Sequence, residues 1–214
     1  MPARRPDSRR RSPQGRRRRR RPARCRKLLL AVLIIALLAI FVFGLAILVD
    51  RIEVAPPQAY PMEYTALIQE NAALQGFDPA YAAAIILAES GYDPQAVSSV
   101  NAQGLMQILP DTGIWLAGKF DEEYVEGCLF DPATNIRYGC WYLGYLLRRY
   151  DGDLTLSTAA YHSGQGTVDK WLQNPQYSSD GKTLQVIAGT KTNAYVGKVL
   201  NYYEKYAQLY ADLP

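Results

Sequence analysis

Histidine and cysteine are scarce in this sequence, and neither occurs at the spacings that bind metals. The 214 residues contain one histidine, His162, and three cysteines. There is no Cys-x-x-Cys pair and no His-x-x-x-His pair, the patterns that bring several ligands to one zinc ion. We therefore expect no metal site, and we expect the protein to work without a cofactor.

Alternation of apolar and polar residues, the pattern of a half-buried strand, is missing over any stretch long enough to build a sheet. Helix start and stop signals recur instead. They predict helices over 63–75, 79–90, 110–117, 132–150, 154–161, 167–172 and 192–210. About 150 residues of mostly helix are enough for one compact domain with its own core. The sequence therefore predicts a mainly α fold.

Acidic residues are nearly absent from residues 1–27, which carry fourteen Arg or Lys and one acid, Asp7. A segment so charged and so poor in apolar residues cannot bury a core, so we expect a disordered tail. Arginine runs are also typical of nucleic-acid binding. The whole chain has 24 basic and 20 acidic residues. Without the tail, residues 28–214 contain ten basic and nineteen acidic residues, a net charge of about −9. An acidic domain argues against nucleic acid as a partner.

Charge is absent altogether from residues 28–49, a run of 22 mostly apolar residues. At about 1.5 Å per residue a helix of this length reaches roughly 33 Å, enough for the hydrocarbon core of a membrane. The basic tail before it favours a cytoplasmic N-terminus. A cleaved signal peptide is the alternative, but its apolar region usually has about 7 to 15 residues. We favour an uncleaved single transmembrane helix, with everything after Asp50 outside the cytoplasm.

Prolines at positions 56, 57 and 61 stiffen the segment that follows the apolar run. The sequence therefore predicts a short linker over residues 50–62. The helical domain then occupies residues 63–214.

The three cysteines fall on two sides of the predicted membrane. Cys25 lies on the cytoplasmic side, whereas Cys128 and Cys140 lie outside, where a disulfide persists. Cys128 precedes the predicted helix 132–150 and Cys140 lies within it, so a bridge between them would staple the start of that helix. Two free buried thiols are the alternative.

Glu89 is the one carboxylate at the end of an apolar predicted helix. Asp78 and Pro79 form a helix start and Gly91 a stop, so Glu89 falls in the last turn. There the helix dipole and the apolar residues before it both disfavour the anion and predict a raised pKa. A carboxylic acid that stays neutral near pH 7 can donate a proton to a leaving oxygen. The alternative is an exposed carboxylate without a chemical role.

The residues after Glu89 favour the chemical role, because many positions match one pattern. In order they are Glu89-Ser90, Tyr92, Pro94, Ala96, Ser98, Gly104-Leu105-Met106-Gln107-Ile108, Pro110 and Thr112. The stretch resembles the catalytic domain of the soluble-type lytic transglycosylases, a lysozyme-like family that cleaves bacterial peptidoglycan.

The resemblance continues through three later segments, so that it covers most of residues 60–205. These segments contain Asp131-Pro132 with Asn135-Ile136, then Ala159-Ala160-Tyr161-His162-Ser163-Gly164, then Thr192, Tyr195, Val196 and Val199. The chain departs from the family pattern at His162, where the family usually has Asn, and at Asn101, where it has Gly. Asn tolerates a left-handed backbone well, so we expect Asn101 to be harmless. His162 can still donate a hydrogen bond, and it can also become charged at low pH.

The resemblance implies a lysozyme-like helical fold and a reaction with a single acid. Glu89 would protonate the oxygen between N-acetylmuramic acid and N-acetylglucosamine, with the acetamido group assisting. As a carboxylate it would then take the proton of the muramyl C6 hydroxyl, which closes a 1,6-anhydro ring. The expected substrate-binding residues are Ser98, Gly104, Leu105, Met106, Gln107, Tyr161, His162 and Tyr195. Gly104 would let the backbone approach the sugar, and Met106 would line the groove; plain core packing is the alternative.

Together these observations predict a lytic transglycosylase anchored in the bacterial cytoplasmic membrane, with its catalytic domain outside and peptidoglycan glycan strands as its partner. Two alternatives remain open. A muramidase of the same fold would need a second carboxylate, for which Asp93, Asp111 and Asp131 are candidates. A catalytically inactive wall-binding scaffold is the other.

Overall fold

The structure is a computed structural model that describes residues 23–50 and 60–211. Most of the predicted basic tail, residues 1–22, and most of the predicted linker, residues 51–59, lie outside the described residues. The chain divides into two units, Met1–Val54 and Ala55–Pro214, and each is described by itself.

The N-terminal unit contains one helix, α1, over Ala23–Asp50. This helix includes the whole of the predicted transmembrane segment 28–49. The apolar side chains described along it are exposed, among them Leu33, Ile35 and Phe41. A search of the described residues finds no helix whose length and apolar character would carry it across a membrane.

The second unit is built from helices, as the sequence predicts. They are α2 Thr65–Gln75, α3 Pro79–Glu89, α4 Pro110–Ala117, α5 Pro132–Arg149, α6 Leu154–Ser163, α7 Gln165–Leu172 and α8 Thr190–Leu209. Within the part of the chain that the structure describes, extended pairing is limited to isolated bridges of Gln103 with Val97 and with Ile108. The predicted mainly α fold is confirmed. A 3-10 helix over Cys128–Phe130, which the sequence analysis did not predict, leads into α5.

Aspartate caps set the starts of three helices. The side chain of Asp78 accepts a hydrogen bond from Ala80 N at α3, Asp131 accepts one from Thr134 N at α5, and Asp153 accepts one from Leu156 N at α6. Each cap satisfies an amide that has no partner inside its own helix. These three helices accordingly begin where the sequence predicts.

Helix α3 is the centre of the domain. Its residues 80–86 are all buried, and it packs against α2 and α8. Full burial of a side chain such as Ile85 or Ile86 contributes about 1.5–3 kcal/mol to stability. The buried hydroxyl of Tyr81 shares a 2.8 Å hydrogen bond with Thr158 of α6. Apolar burial on every side therefore fixes the position of the last residue of α3, Glu89.

The predicted disulfide between Cys128 and Cys140 is wrong. Both cysteines are free thiols, and Cys140 is fully buried in the core. Cys128 lies in the 3-10 helix before α5, whereas Cys140 is eight residues beyond Pro132 within α5. Burial raises the pKa of both thiols, so each remains a protonated side chain in its own environment.

Two helical glycines differ sharply in the space around them, and this difference predicts opposite effects of alanine. A Cβ atom at Gly139 of α5 would lie 2.2 Å from the sulfur of buried Met106, whereas one at Gly197 of α8 would meet nothing within 4 Å. We expect Gly139→Ala to lower the free energy of unfolding by about 1–3 kcal/mol through overpacking. Gly197→Ala is its control and is expected to raise that free energy by about 0.5–1 kcal/mol. Urea unfolding measures both, and a similar effect of the two substitutions would contradict this account.

Candidate active site

Glu89 is half-buried at the C-terminal end of α3, and a tyrosine from α8 holds its carboxyl group. Tyr195 donates a hydrogen bond to Glu89 Oε1 at 2.5 Å. Burial raises the pKa of Glu89, although the hydrogen bond from Tyr195 and the positive charge of Lys198 partly offset this effect. The predicted direction of the shift is confirmed, with burial as its largest cause.

Lys198, which the sequence analysis did not single out, lies one helical turn beyond Tyr195 on α8. Its ammonium group donates a 2.8 Å hydrogen bond to the carbonyl oxygen of Ala88, the residue before Glu89. Cations favour the C-terminal end of a helix, where carbonyl groups lack partners. Helix α8 therefore holds the end of α3 at two points, one on the carboxyl group and one on the backbone. The spacing of three residues from Tyr195 is the sequence signal that would have found Lys198.

The loop between α3 and α4, residues 90–109, contains most of the matched motif and is called the motif loop. Hydrogen bonds within it fix its shape. The hydroxyl of Ser90 donates to Leu105 O at 2.8 Å, and Gly104 N donates to Ala96 O at 2.9 Å. Gln103 and Ile108 exchange two backbone hydrogen bonds. These bonds bring the residues after Glu89 back beside the end of α3.

Asn135 of α5 anchors the motif loop from behind. Its fully buried amide accepts a hydrogen bond from Met106 N at 2.8 Å and donates to Gln103 O at 2.9 Å and Leu129 O at 2.7 Å. A buried amide without such partners would cost about 1–3 kcal/mol. In the sequence, Asn135 stands out only as part of a resembling segment, because its hydrogen-bond partners lie in two other segments of the chain.

Three motif residues pack within the protein and do not line the cavity described below. A Cβ atom at Gly104, where φ is +75°, would lie 2.1 Å from Leu129 O and 2.4 Å from Asn135 Nδ2. The space beside this glycine is thus filled by protein, so close packing accounts for glycine here without an approaching sugar. Leu105 and Met106 are fully buried, so the prediction that the Met106 side chain lines the groove is wrong.

A cavity of about 310 Å³ opens beside the motif loop. Its wall is formed by Gln107, Ile108, Leu109, Thr112, Tyr142, Tyr161, His162, Ser163 and Gly164. Three of the predicted substrate-binding residues, Gln107, Tyr161 and His162, therefore lie on one cavity. Gln107 is held there by hydrogen bonds from its Nε2 to Ala96 O at 3.0 Å and Gly104 O at 2.9 Å.

His162, on the wall of this cavity, contacts the tyrosine that binds Glu89. The His162 ring lies 4.5 Å from the ring of Tyr195, whose hydroxyl binds Glu89. Its Nδ1 atom is 3.2 Å from Thr192 Oγ1. Desolvation, with the positive charges of Lys191 and Lys198, lowers the pKa of His162, so the imidazole is neutral at pH 7.

Tyr161 also lies between the cavity and the end of α3 that carries Glu89. Its hydroxyl donates to Met106 O at 2.7 Å, which ties α6 to the motif loop. Burial, followed by the negative charge of Glu89, raises the pKa of Tyr161. Tyr161 therefore stays a neutral phenol beside the carboxyl group.

Ser98 is the predicted site residue that the structure places in a purely local role. Its hydroxyl accepts hydrogen bonds from Val100 N at 3.3 Å and Ala102 N at 3.0 Å. Among the described residues, no hydrogen bond joins Ser98 to Glu89. Ser98 thus holds a turn of the motif loop.

Two of the three candidates for a second carboxylate also accept hydrogen bonds from residues near them in the chain. Asp93 accepts a hydrogen bond from Gln95 N at 2.8 Å, and Asp131 caps α5 through Thr134. Asp111 instead lines a second cavity. In the described ranges, no group of three His, Cys, Asp or Glu side chains is placed to hold a metal ion.

Comparisons with known proteins match the helical unit. The model of the transglycosylase SLT domain family matches residues 66–184. The soluble lytic murein transglycosylase of Escherichia coli strain K12 is 33% identical over 160 residues, which cover 73% of this chain and 25% of that protein. The membrane-bound lytic murein transglycosylase C of Actinobacillus pleuropneumoniae serotype 5b is 34% identical over 127 residues, 55% of this chain and 35% of that protein. The chain thus spans about a quarter to a third of the length of these relatives.

Solved structures agree in fold. The 70 kDa soluble lytic transglycosylase of Escherichia coli is 32% identical, with a TM-score of 0.64 over 72% of this chain and 25% of that one. An inactive Glu-to-Gln mutant of lytic transglycosylase Slt from Pseudomonas aeruginosa is also 32% identical, with a TM-score of 0.63 over 70% of this chain and 25% of that one. The lysozyme-like helical fold that the sequence predicts is therefore confirmed. The chain belongs to the transglycosylase SLT domain family.

Proposed function

We propose that this protein is a peptidoglycan lytic transglycosylase in which Glu89 acts first as an acid and then as a base. The observation that carries the proposal is the half-buried carboxyl group of Glu89, hydrogen-bonded to Tyr195 and connected through His162 to an open cavity. The names of the relatives support the reaction class, and the inactive mutant of a relative carries Gln in place of a Glu.

The first half of the reaction breaks the bond between C1 of N-acetylmuramic acid and the oxygen of N-acetylglucosamine. Glu89 gives its proton to the leaving oxygen, while the acetamido oxygen of the muramyl residue shares the positive charge at C1. Burial raises the pKa of Glu89 and so favours the protonated acid that this step needs. Tyr195 and Lys198 then stabilise the carboxylate that forms, so the same surroundings serve both charge states.

The second half restores the enzyme. The carboxylate of Glu89 takes the proton of the muramyl C6 hydroxyl as the C6 oxygen bonds to C1 and the 1,6-anhydro ring closes. One bond to C1 is broken and one is formed, and the proton that left Glu89 is replaced. No water is consumed, so the substrate supplies the function that a second carboxylate has in most glycosidases.

The same proposal places the protein in the bacterial cytoplasmic membrane through the 28–49 segment. Support comes from its 22 uncharged residues, the fourteen basic residues before it and the helix that includes it. The N-terminus would be cytoplasmic and the helical domain outside. Carbonate extraction of membranes tests this: the full chain is expected to stay in the membrane pellet, and a variant lacking residues 28–49 is expected to leave it. Release of the full chain would remove the anchor from the proposal.

Glu89→Gln tests the reaction directly. We expect digestion of purified peptidoglycan by the unmodified protein to give 1,6-anhydro ends, and we expect the substitution to lower their formation by about a hundredfold to ten-thousandfold. Mass spectrometry of the released fragments measures the ends. Glu204→Gln, which removes an exposed acid from α8, is the matched control and should keep full activity. Reducing ends would show hydrolysis and direct attention to Asp111 as the second carboxylate.

Protein stability checks that Glu89→Gln is still folded. The raised pKa means that the folded state disfavours the Glu89 anion. Ionisation of Glu89 therefore destabilises the folded protein at pH values above 4.5, the pKa of this residue in the unfolded chain, and has no such effect well below that pH. Thermal unfolding should therefore show Glu89→Gln to be more stable than the unmodified protein at pH 7. The difference should shrink toward zero as the pH falls to about 4. A less stable variant at pH 7 would contradict the direction of the pKa shift.

Tyr195→Phe tests the hydrogen bond to Glu89. That bond lowers the pKa of Glu89, so its removal is expected to raise this pKa further and to destabilise the carboxylate intermediate. The pH profile of kcat should move to higher pH, and its maximum should fall by about tenfold, as one lost hydrogen bond to a charged group implies. Tyr202→Phe on the same helix is the control. An unshifted profile would show that Tyr195 only packs.

A further inference from the structure

His162 lies between the cavity and the residue that binds Glu89. It is the one histidine of the chain, and its side chain forms part of the cavity wall. Its ring centroid is 4.5 Å from that of Tyr195, with the two ring planes tilted by 32°. The hydroxyl of Tyr195 in turn donates to Glu89 Oε1. A charge on His162 therefore acts on Glu89 through one intervening side chain.

Thr192 of α8 holds the imidazole in place in either protonation state. The distance from His162 Nδ1 to Thr192 Oγ1 is 3.2 Å, and Thr192 is buried. A neutral ring donates or accepts this hydrogen bond according to its tautomer, whereas a charged ring donates it. Protonation therefore adds a positive charge without removing the contact that positions the ring.

The titratable groups around the imidazole determine when it becomes charged. Among the described residues they are Tyr161 of α6, Tyr142 of α5, and Lys191, Tyr195 and Lys198 of α8, with Glu89 of α3 beyond Tyr195. Burial raises the pKa of all three tyrosines, so they stay neutral. Desolvation and the two lysines lower the pKa of His162 from its ordinary value of 6.5. The side chain is exposed to solvent, so protons reach it directly, but the charged form prevails only below that pH.

A charged imidazole would weaken the base that the second half of the proposed reaction needs. The positive charge attracts the carboxylate of Glu89, and it makes the hydroxyl of Tyr195 a stronger donor to that carboxylate. Both effects stabilise the anion. A more stable carboxylate takes the proton of the muramyl C6 hydroxyl less readily.

The same charge would also oppose the first half of the reaction. Positive charge develops at C1 as the bond to the leaving oxygen breaks, and His162 lies on the wall of the cavity in which the sugar would bind. Like charges repel more strongly where a bound strand displaces water. The Asn that the family usually has at this place is neutral at every pH, whereas His162 is neutral only above its pKa.

We propose that His162 is a positioning residue for Glu89 that supports the reaction only while its ring is uncharged, so that protonation of His162 sets the acid limit of the activity. The inference rests on the proposed function, because it assigns a role in the same reaction. His162 acts through Tyr195 and through the charge it places on the cavity wall.

The test compares two titrations of one group. Nuclear magnetic resonance of the full chain in detergent micelles, with carbon-13 in the imidazole, gives the midpoint of His162 without ambiguity because the chain has a single histidine. The initial rate of fragment release from dilute peptidoglycan gives kcat/KM, whose pH dependence reports groups of the free protein. We expect the acid limb of kcat/KM to share that midpoint. One pH unit below it, kcat/KM should be about tenfold below its maximum.

Two variants separate the charge of His162 from its packing. His162→Asn is expected to lose the acid limb, and each profile is read relative to its own maximum, so a general loss of activity does not affect the comparison. Lys191→Gln is expected to move the resonance midpoint and the acid limb together to higher pH, because this lysine lowers the pKa of His162. Lys170→Gln, which removes an exposed lysine from α7, is the matched control and should move neither.

Two results would overturn the role of His162 and leave the proposed function standing. One is an acid limb that persists in His162→Asn. The other is an acid limb that stays in place while Lys191→Gln moves the resonance midpoint. Failure to release fragments at any pH would instead refute the proposed function, and the role of His162 with it.

Discussion

The hydrogen bond between Tyr195 and Glu89 joins residues 106 positions apart and is the contact on which the site depends. A carboxyl group at the end of a buried apolar helix is costly unless a partner meets it. Helix α8 supplies that partner because it packs along α3, and one turn later Lys198 binds the backbone beside Glu89. The packing of α8 against α3 thus both stabilises the domain and positions the carboxyl group of Glu89.

The motif loop packs against α5 on one side and lines the cavity on the other. On the α5 side, the buried amide of Asn135 and the missing side chain of Gly104 let the loop lie close to the helix. On the other side, Gln107 lies on the cavity wall. Some residues of this short sequence pattern therefore hold the loop and others line the cavity, and their order in the chain does not reveal which residues do which.

The cavity residues next to Glu89 are neutral at pH 7. Burial keeps Tyr161 protonated, and desolvation together with two lysines keeps His162 uncharged. The charge that changes in the proposed reaction is then that of Glu89 alone. Replacement of the usual Asn by His162 preserves a neutral hydrogen-bonding group at this place, and its ring adds packing against Tyr195.

The sequence by itself determined the helical framework and the place of Glu89 at the end of an apolar helix. Local signals suffice for these, since a cap such as Asp78 acts on amides two or three residues away, and Asn101 does adopt the left-handed φ of +64° that its residue type allows. Tertiary structure alone decided the rest. It left Cys140 unpaired, buried Met106 and brought Lys198 to α3. Each outcome depends on which distant segments meet in the packed domain, and a local sequence pattern does not determine the distances between such segments.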